Sequence, residues 1–425
     1  GNAIYADSST VSITDSTFDA NTGDDGGAIY LTSSDLTVTD STFTDNLAYY
    51  GGAIYLTTNS TVTDSGSSYE YNYTYYSGGA VHLTSYSDAA FSSSKFYDNE
   101  SGSSVGGAIY SYNYTTLDIA DTTLEQNTSY SAGGAIYLQQ QYTTASVSGS
   151  TFKDNTSRVS AGGAIYAYHN TDLEIDSSDF SGNTASSSGG AIYSHYYADI
   201  DISDATFSDN TSSSHGGALY AYYYADISIS GSTFSDNTST SNGGAVYSYY
   251  LNHTDIEDSS FSDNTATYGQ GGALYHYPAT QSSTYSYALS IDSSSFTENN
   301  AYYNGGAAYI VSSYTANISD STFESNAANT SSGGYHGGAL YVSSVTELTS
   351  ARNTFCLNEA YHGGAVYSQS IASVDDWTNN IFQENVAAYY GGAVYSHTSY
   401  YNNLINNTFV GLSLIHISEP TRRPI

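Results

Sequence analysis

The sequence predicts an all-β fold, a parallel β-solenoid of about 15 coils with about 28 residues in each. Three observations point to it. Fourteen Gly-Gly-Ala-(Ile/Val/Leu/Ala)-Tyr pentads recur at intervals of 25 to 34 residues, from Gly26 to Gly391, with His82 in place of one Tyr. Gly1-Asn2-Ala3-Ile4-Tyr5 is a degenerate further copy. A second signature, Phe-x-x-Asn, keeps the same period from Phe18/Asn21 to Phe382/Asn385 and takes twelve of the fourteen phenylalanines. Between the two lie short stretches such as Leu173-Glu-Ile175 and Ile227-Ser-Ile229, apolar at every second residue. A fixed period of this size means small units stacked on one another, because a single unit cannot bury its own apolar face. Alternation is strand periodicity, and no segment sustains the helical pattern.

Each element of the unit has its own reason. The Gly-Gly pair suits a corner that needs positive φ or a close approach of two backbones. The residues after it, Ala-Ile-Tyr and two more, read as a first strand. The alternating stretch is a second strand, and the segment around Phe a third, giving two or three strands per coil. The Asn that closes Phe-x-x-Asn tolerates the left-handed region, and its amide can bond to the same Asn one coil away. Stacking at roughly 4.8 Å per coil gives a rod about 70 Å long.

Orientation along the first strand decides what the surface offers. Position four of the pentad is aliphatic in nearly every copy, and position six is Leu31, Leu56, Leu83, Leu138, Ala167, Ala221, Ile310 or Val342, with Ser or His in the rest, so this face fills the core. Position five then points outward as a tyrosine ladder, joined in the middle coils by a second aromatic column at position seven. The candidate ligand-binding surface is therefore Tyr110, Tyr112, Tyr137, Tyr166, Tyr168, Tyr193, Tyr220, Tyr222, Tyr247, Tyr249, Tyr275 and Tyr277. The alternative turns these tyrosines inward beside the alanines.

Composition narrows the partners. With 6 Lys plus Arg against 41 Asp plus Glu, the formal net charge is −35. Binding to nucleic acid or to an anionic membrane through charge is excluded, since both need cations on the protein. Aspartate recurs before the Phe motif (Asp15, Asp40, Asp121, Asp204, Asp258, Asp320) and inside it (Asp45, Asp98, Asp154, Asp209, Asp236, Asp263). Stacked coils would bring such carboxylates about 5 Å apart, tolerable at a wet corner or with Ca²⁺ bridging them. A single cysteine, Cys356, rules out a disulfide within the chain. No apolar run of about 18 residues is present to form a transmembrane helix.

The repeat occupies residues 1–411 as one domain that opens inside a repeat, as a fragment of a longer protein would. Residues 412–425 break the pattern, hold two of the three prolines, and read as a non-native tail of the kind produced by sequencing-adaptor read-through.

Catalysis finds little support in the sequence. A lyase needs a basic proton abstractor beside Ca²⁺-binding carboxylates, and outside the tail only Lys95, Lys153, Arg158 and Arg352 are available. A glycosidase needs two carboxylates about 5 to 9.5 Å apart, which stacked coils supply almost everywhere, so the spacing discriminates nothing. Asp24-Asp25 and Asp375-Asp376 read as corner caps. His336 and His362 occupy the same slot in successive coils, where stacking brings their rings within reach of one metal ion; without a third ligand they are two stacked surface histidines. Several Asn-x-Ser/Thr triplets, among them Asn155 and Asn237, merely extend the Phe-x-x-Asn motif.

These in-phase Gly-Gly-Ala-Ile and Phe-x-x-Asn motifs, running to about residue 410, resemble the polymorphic outer membrane protein repeat family of bacterial surface proteins. The resemblance implies a right-handed parallel β-helix exported to the extracellular or outer cell surface and used for adhesion. The outward tyrosines suit contact with glycans or neighbouring cell-surface proteins, and with so few catalytic candidates the chain reads as a binding protein, not an enzyme. An inert stalk and a polysaccharide-degrading β-helix are the alternatives.

Overall fold

A computed structural model describes residues 1–140, 142–278, 288–329, 334–399 and 402–414. Every strand pairing in it is parallel, and each coil contributes to four sheets that run the length of the rod. The pentad sheet has fifteen strands, from Ile4–Asp7 to Val394–His397. The alternating sheet has fifteen, from Thr10–Thr14 to Asn402–Ile405, and the phenylalanine sheet fifteen, from Thr17–Asp19 to Thr408–Val410. A fourth sheet of fourteen strands runs from Leu47–Tyr50 to Ser413–Leu414.

The fourth sheet corrects the expectation of two or three strands per coil. Its members are mostly two residues long, such as Thr128–Ser129 and Thr238–Ser239, and they place one small residue inward: Ser129, Ser157, Ala185, Ser212. Two residues, one of them a serine, carry too little alternation to register as a strand in the sequence.

Register is strict. Ile136, Tyr137, Leu138 and Gln139 pair with Ile165, Tyr166, Ala167 and Tyr168, and those in turn with Ile192, Tyr193, Ser194 and His195. The two longest pentad intervals, Gly271–Gly305 and Gly305–Gly337, hold their additional residues partly in 279–287 and 330–333, outside the described residues. Pairing resumes in phase beyond them, as Tyr275↔Tyr309 and Tyr309↔Tyr341 show.

The core is a set of columns. Phe43, Tyr69, Phe96, Leu124, Phe152 and the phenylalanines after them as far as Phe382 are fully buried, while Phe409 in the last coil is exposed. Adjacent rings stack at 4.6–5.0 Å between centroids with planes within 10°. Position four of the pentad is buried throughout the interior coils, and position six with it (Leu31, Leu56, Leu138, Ala167). Where position six is polar it still faces inward: His276 is fully buried and shares a hydrogen bond with Ser248 Oγ at 3.0 Å.

Asparagine forms the predicted ladder. From Asn21 to Asn358 each Nδ2 donates to the Oδ1 of the next coil's Asn at 2.8–3.0 Å, and each backbone N–H donates to the same oxygen, with Asn385 as the last acceptor. The left-handed residue is not the Asn, as the sequence suggested, but the one before it, for example Asp209, Asp236 and Asp263 with φ of 55–56°. A second ladder, unread in the sequence, uses the hydroxyl two residues before Phe: the N–H of Ser232 donates to Ser259 Oγ, and that of Ser259 to Ser294 Oγ, both at 3.1 Å.

At the C-terminal end Leu412 stands where the Asn ladder would continue and packs against the core, while Ser413–Leu414 pairs with Val386–Ala387. The expected non-native segment therefore begins with three residues that follow the coil path; 415–425 lie outside the described residues. Asp375 is a further correction. It sits in the strand Val374–Thr378 and not at a corner, faces the core, and accepts from Trp377 Nε1 at 2.6 Å.

Candidate functional site

All twelve candidate tyrosines lie on the outward side of seven consecutive pentad strands, Ile109–Tyr112, Ile136–Gln139, Ile165–Tyr168, Ile192–His195, Leu219–Tyr222, Val246–Tyr249 and Leu274–Tyr277. Strand alternation puts them there: Ile and the residue two further on take the core, and the two between and after take the outside. The inward alternative is thereby set aside.

Outward does not mean open. Rings at position five, Tyr110, Tyr137, Tyr166, Tyr193, Tyr220, Tyr247 and Tyr275, stack on one another at 4.7–5.7 Å. Each covers its neighbours, so Tyr247 keeps only 6 % of its surface exposed and Tyr137 and Tyr275 9 %. Burial, then the neighbouring phenols, raises the pKa of each of these hydroxyls above the ordinary tyrosine value. What this column offers a partner is a row of ring edges and phenol groups.

Position seven is more open. Tyr168, His195, Tyr222, Tyr249 and Tyr277 follow one another at 5.0–5.6 Å and are half-buried. Tyr112 takes the same position beside Gln139, whose Oε1 accepts from Tyr110 Oη at 2.9 Å.

A third column escaped the sequence reading. At the corner after the pentad strands stand Tyr86, Tyr114 and Tyr142, then Tyr196, Tyr223 and Tyr250, with Tyr197 and Tyr224 beside them. The most exposed are Tyr142 (69 %), Tyr86 (55 %) and Tyr197 (49 %). The available signal was the run of tyrosines just past the pentad strand, as in Tyr222-Tyr-Tyr224, which continues the position-seven column around the bend.

Beyond that corner the outer face of the alternating sheet carries two adjoining shallow acidic depressions, one of about 440 Å³ with Asp118, Asp172, Glu174, Asp199 and Asp201, and one of about 400 Å³ that shares Asp199 and Asp201 and adds Asp226 and Asp255. Burial, then neighbouring carboxylates, holds Asp118 above the usual carboxylate range; burial is also the largest cause at Asp199 and Asp255.

His336 and His362, the candidate metal pair, stack face to face with centroids 5.0 Å apart, and His336 also lies 4.4 Å from the Tyr367 ring. Burial, then His362, lowers the His336 pKa to about 4. Lone pairs of imidazole lie in the ring plane, so stacked rings direct them side by side. Among the described residues no group of three or more His, Cys, Asp or Glu is placed to hold a metal ion. Cys356 sits half-buried on the outer side of its strand, its thiol pKa raised by burial and by Glu324 and Glu384. Asn155, Asn210 and Asn237, nominal glycosylation acceptors, are fully buried with their amides committed to the ladder.

Two overlapping stretches, residues 1–158 and 136–284, match the model of the family described as right handed beta helix region, and together they span well over half of the chain. The chain belongs to that family. Its coils are therefore those of a right-handed parallel β-helix, and the tyrosine columns and the acidic depressions occupy adjoining outer faces of this right-handed β-helix. No curated protein and no solved structure matches the chain. Among the described residues no helix is long and apolar enough to cross a membrane.

Proposed function

We propose that this β-helix is a non-enzymatic binding rod of the extracellular or outer cell surface. In this reading it is an adhesin-like passenger of the polymorphic outer membrane protein repeat type, which contacts glycans or neighbouring surface proteins through its tyrosine-bearing face. The observation that carries the reading is the set of in-register aromatic columns on one side of the rod, with hydroxyls at their rims. Aromatic rings pack against the C–H faces of sugars while phenol groups keep the patch wet. All four basic side chains among the described residues are already paired, Lys95 with Glu70, Lys153 with Glu125, Arg158 with Glu100 and Arg352 with Asp320, which leaves none free for an anionic partner.

The test is glycan-array binding by the full chain beside a variant with Tyr112, Tyr168, Tyr222, Tyr249 and Tyr277 all changed to Ser. Binding that falls at least about tenfold, equivalent to about 1.4 kcal/mol, supports the reading. Equal binding by both proteins, or none by either, makes the molecule a spacer. Release of unsaturated or free uronates from pectin, with or without Ca²⁺, would make it an enzyme; none is expected.

A further inference from the structure

We propose that exposed tyrosines stacked in neighbouring coils are sites of oxidative cross-linking, which joins one coil to the next through a carbon–carbon bond between rings. The column Tyr86–Tyr114–Tyr142 is the best placed. Its rings are 55, 36 and 69 % exposed, with centroids 4.8 and 5.4 Å apart and planes 15° and 26° from parallel. All three residues sit in the left-handed region, φ 58–63°, at the same corner of successive coils, so the backbone holds the phenols in register before any reaction. Tyr49–Tyr75 and Tyr50–Tyr76 form a second such pair of contacts at 5.4 and 5.2 Å, every ring more than a third exposed.

The chemistry balances with one named co-reactant. Each phenol gives one electron and one proton to a peroxidase charged with hydrogen peroxide, leaving two phenoxyl radicals. These combine between the ring carbons ortho to oxygen. The hydrogens on those carbons leave as protons and the oxygens are reprotonated, which restores two phenols now joined as dityrosine. The pair has lost two hydrogen atoms, and one hydrogen peroxide has become two waters.

Two further properties of the chain favour this outcome over the usual fates of an oxidised protein. Competing sinks are missing: there is no methionine, the one tryptophan is buried at 1 % exposure, and the one cysteine is half-buried, against 48 tyrosines. A net charge of −35 also keeps separate chains apart, so a radical meets its neighbour one coil away before it meets another molecule.

The experiment treats the dilute full chain with a haem peroxidase and hydrogen peroxide, then reads dityrosine fluorescence, chain length on a denaturing gel, and linked peptides by mass spectrometry. The expected product is a monomer containing Tyr86–Tyr114 or Tyr114–Tyr142 linked peptides. Tyr114→Phe keeps the ring in the stack but has no phenol to oxidise. It should abolish both links while leaving the far-ultraviolet circular dichroism and the Tyr49–Tyr75 product unchanged. Cross-links found only between separate chains, ring hydroxylation without linked peptides, or wild-type fluorescence from the Tyr114→Phe and Tyr49→Phe/Tyr50→Phe variant would overturn the proposal.

Discussion

Aspartates that looked like a charge pattern have a backbone reason. Asp15, Asp40, Asp121, Asp204, Asp258 and Asp320 all adopt φ of 47–51°, and the Asp residues inside the Phe motif adopt 50–56°. Gly66, Gly149 and Gly231 take the first of these slots in other coils, also with positive φ. Asp and Asn are among the few side chains that visit the left-handed region at modest cost, so corners select them. A single histidine gives the sharpest prediction at this scale. His82 replaces Tyr in the position-five column, stacks between Tyr55 and Tyr110 at 4.9 and 4.6 Å, and is nearly inaccessible. Burial lowers its pKa from 6.5 to about 3. A base with a depressed folded-state pKa contributes stability that is present above pH 6.5 and lost as pH falls toward 3. His82→Tyr restores the column's own residue and removes that liability. Unfolding temperatures at pH 7 should be nearly equal for the two proteins, while at pH 4 the variant should be more stable by about 2 to 3 kcal/mol, from roughly two of the pKa units. Parallel pH profiles would refute the assignment.

Ladders do at the level of the coil what disulfides do in smaller folds. Each interior Asn satisfies three buried groups. Asn237 Oδ1 accepts from the N–H and Nδ2 of Asn210 at 3.1 and 3.0 Å, and its own Nδ2 donates to the Phe207 carbonyl at 2.9 Å. Asn237→Ala removes all three bonds; Asn210 Nδ2 keeps its bond to the Phe180 carbonyl, but the Asn210 N–H loses its side-chain acceptor inside the wall, at about 1–3 kcal/mol for a buried polar group left without a partner and about 1 kcal/mol for each further bond lost. The expected loss is about 3 kcal/mol or more, read as an earlier urea midpoint and faster exchange of the Asn210 amide. Asn21→Ala should cost under about 1 kcal/mol, because Asn21 only donates, to Asn46. Equal losses at both sites would show that the ladder is not what holds the coils. The motif itself was legible from Phe-x-x-Asn spacing, as were the alternating strands and the core-facing aliphatics at positions four and six. The serine ladder was not, because Ser is also the commonest filler of loops here and its spacing carries no apolar signal. The corner tyrosines were missed for a related reason: they follow the strand and break its alternation, so only the third dimension lines them up. The Gly-Gly pair was readable in both its roles. Gly216 has φ of 63°, and a Cβ on Gly217 would overlap the Gly244 carbonyl of the next coil.

On the scale of the whole rod, identical slots repeat every coil, so any like charge is repeated too. Asp209, Asp236 and Asp263 occupy one such column, and burial followed by the carboxylates of Asp263 and Asp209 raises the pKa of Asp236. The four described basic side chains form five surface pairs, Lys153 serving both Glu125 and Asp154; each pair is worth at most about 1 kcal/mol, and together they cannot offset a formal charge of −35. Repulsion between neighbours in a column acts over about 5 Å, inside the Debye length of about 10 Å at 0.1 M salt and beyond that of about 3 Å at 1 M. Added salt should therefore stabilise this molecule. Raising NaCl from about 0.1 to 1 M is expected to lift the unfolding temperature by roughly 5 °C, followed by circular dichroism. Salt also strengthens apolar burial generally, so the charge-specific part is isolated with a triple variant, Asp209→Asn, Asp236→Asn and Asp263→Asn. Asparagine tolerates the same left-handed corner, which leaves the backbone unstrained. The variant should start from a higher unfolding temperature at low salt and gain less from NaCl than the parent. An equal gain in both proteins would assign the effect to apolar burial and remove column repulsion as a determinant of the rod's stability.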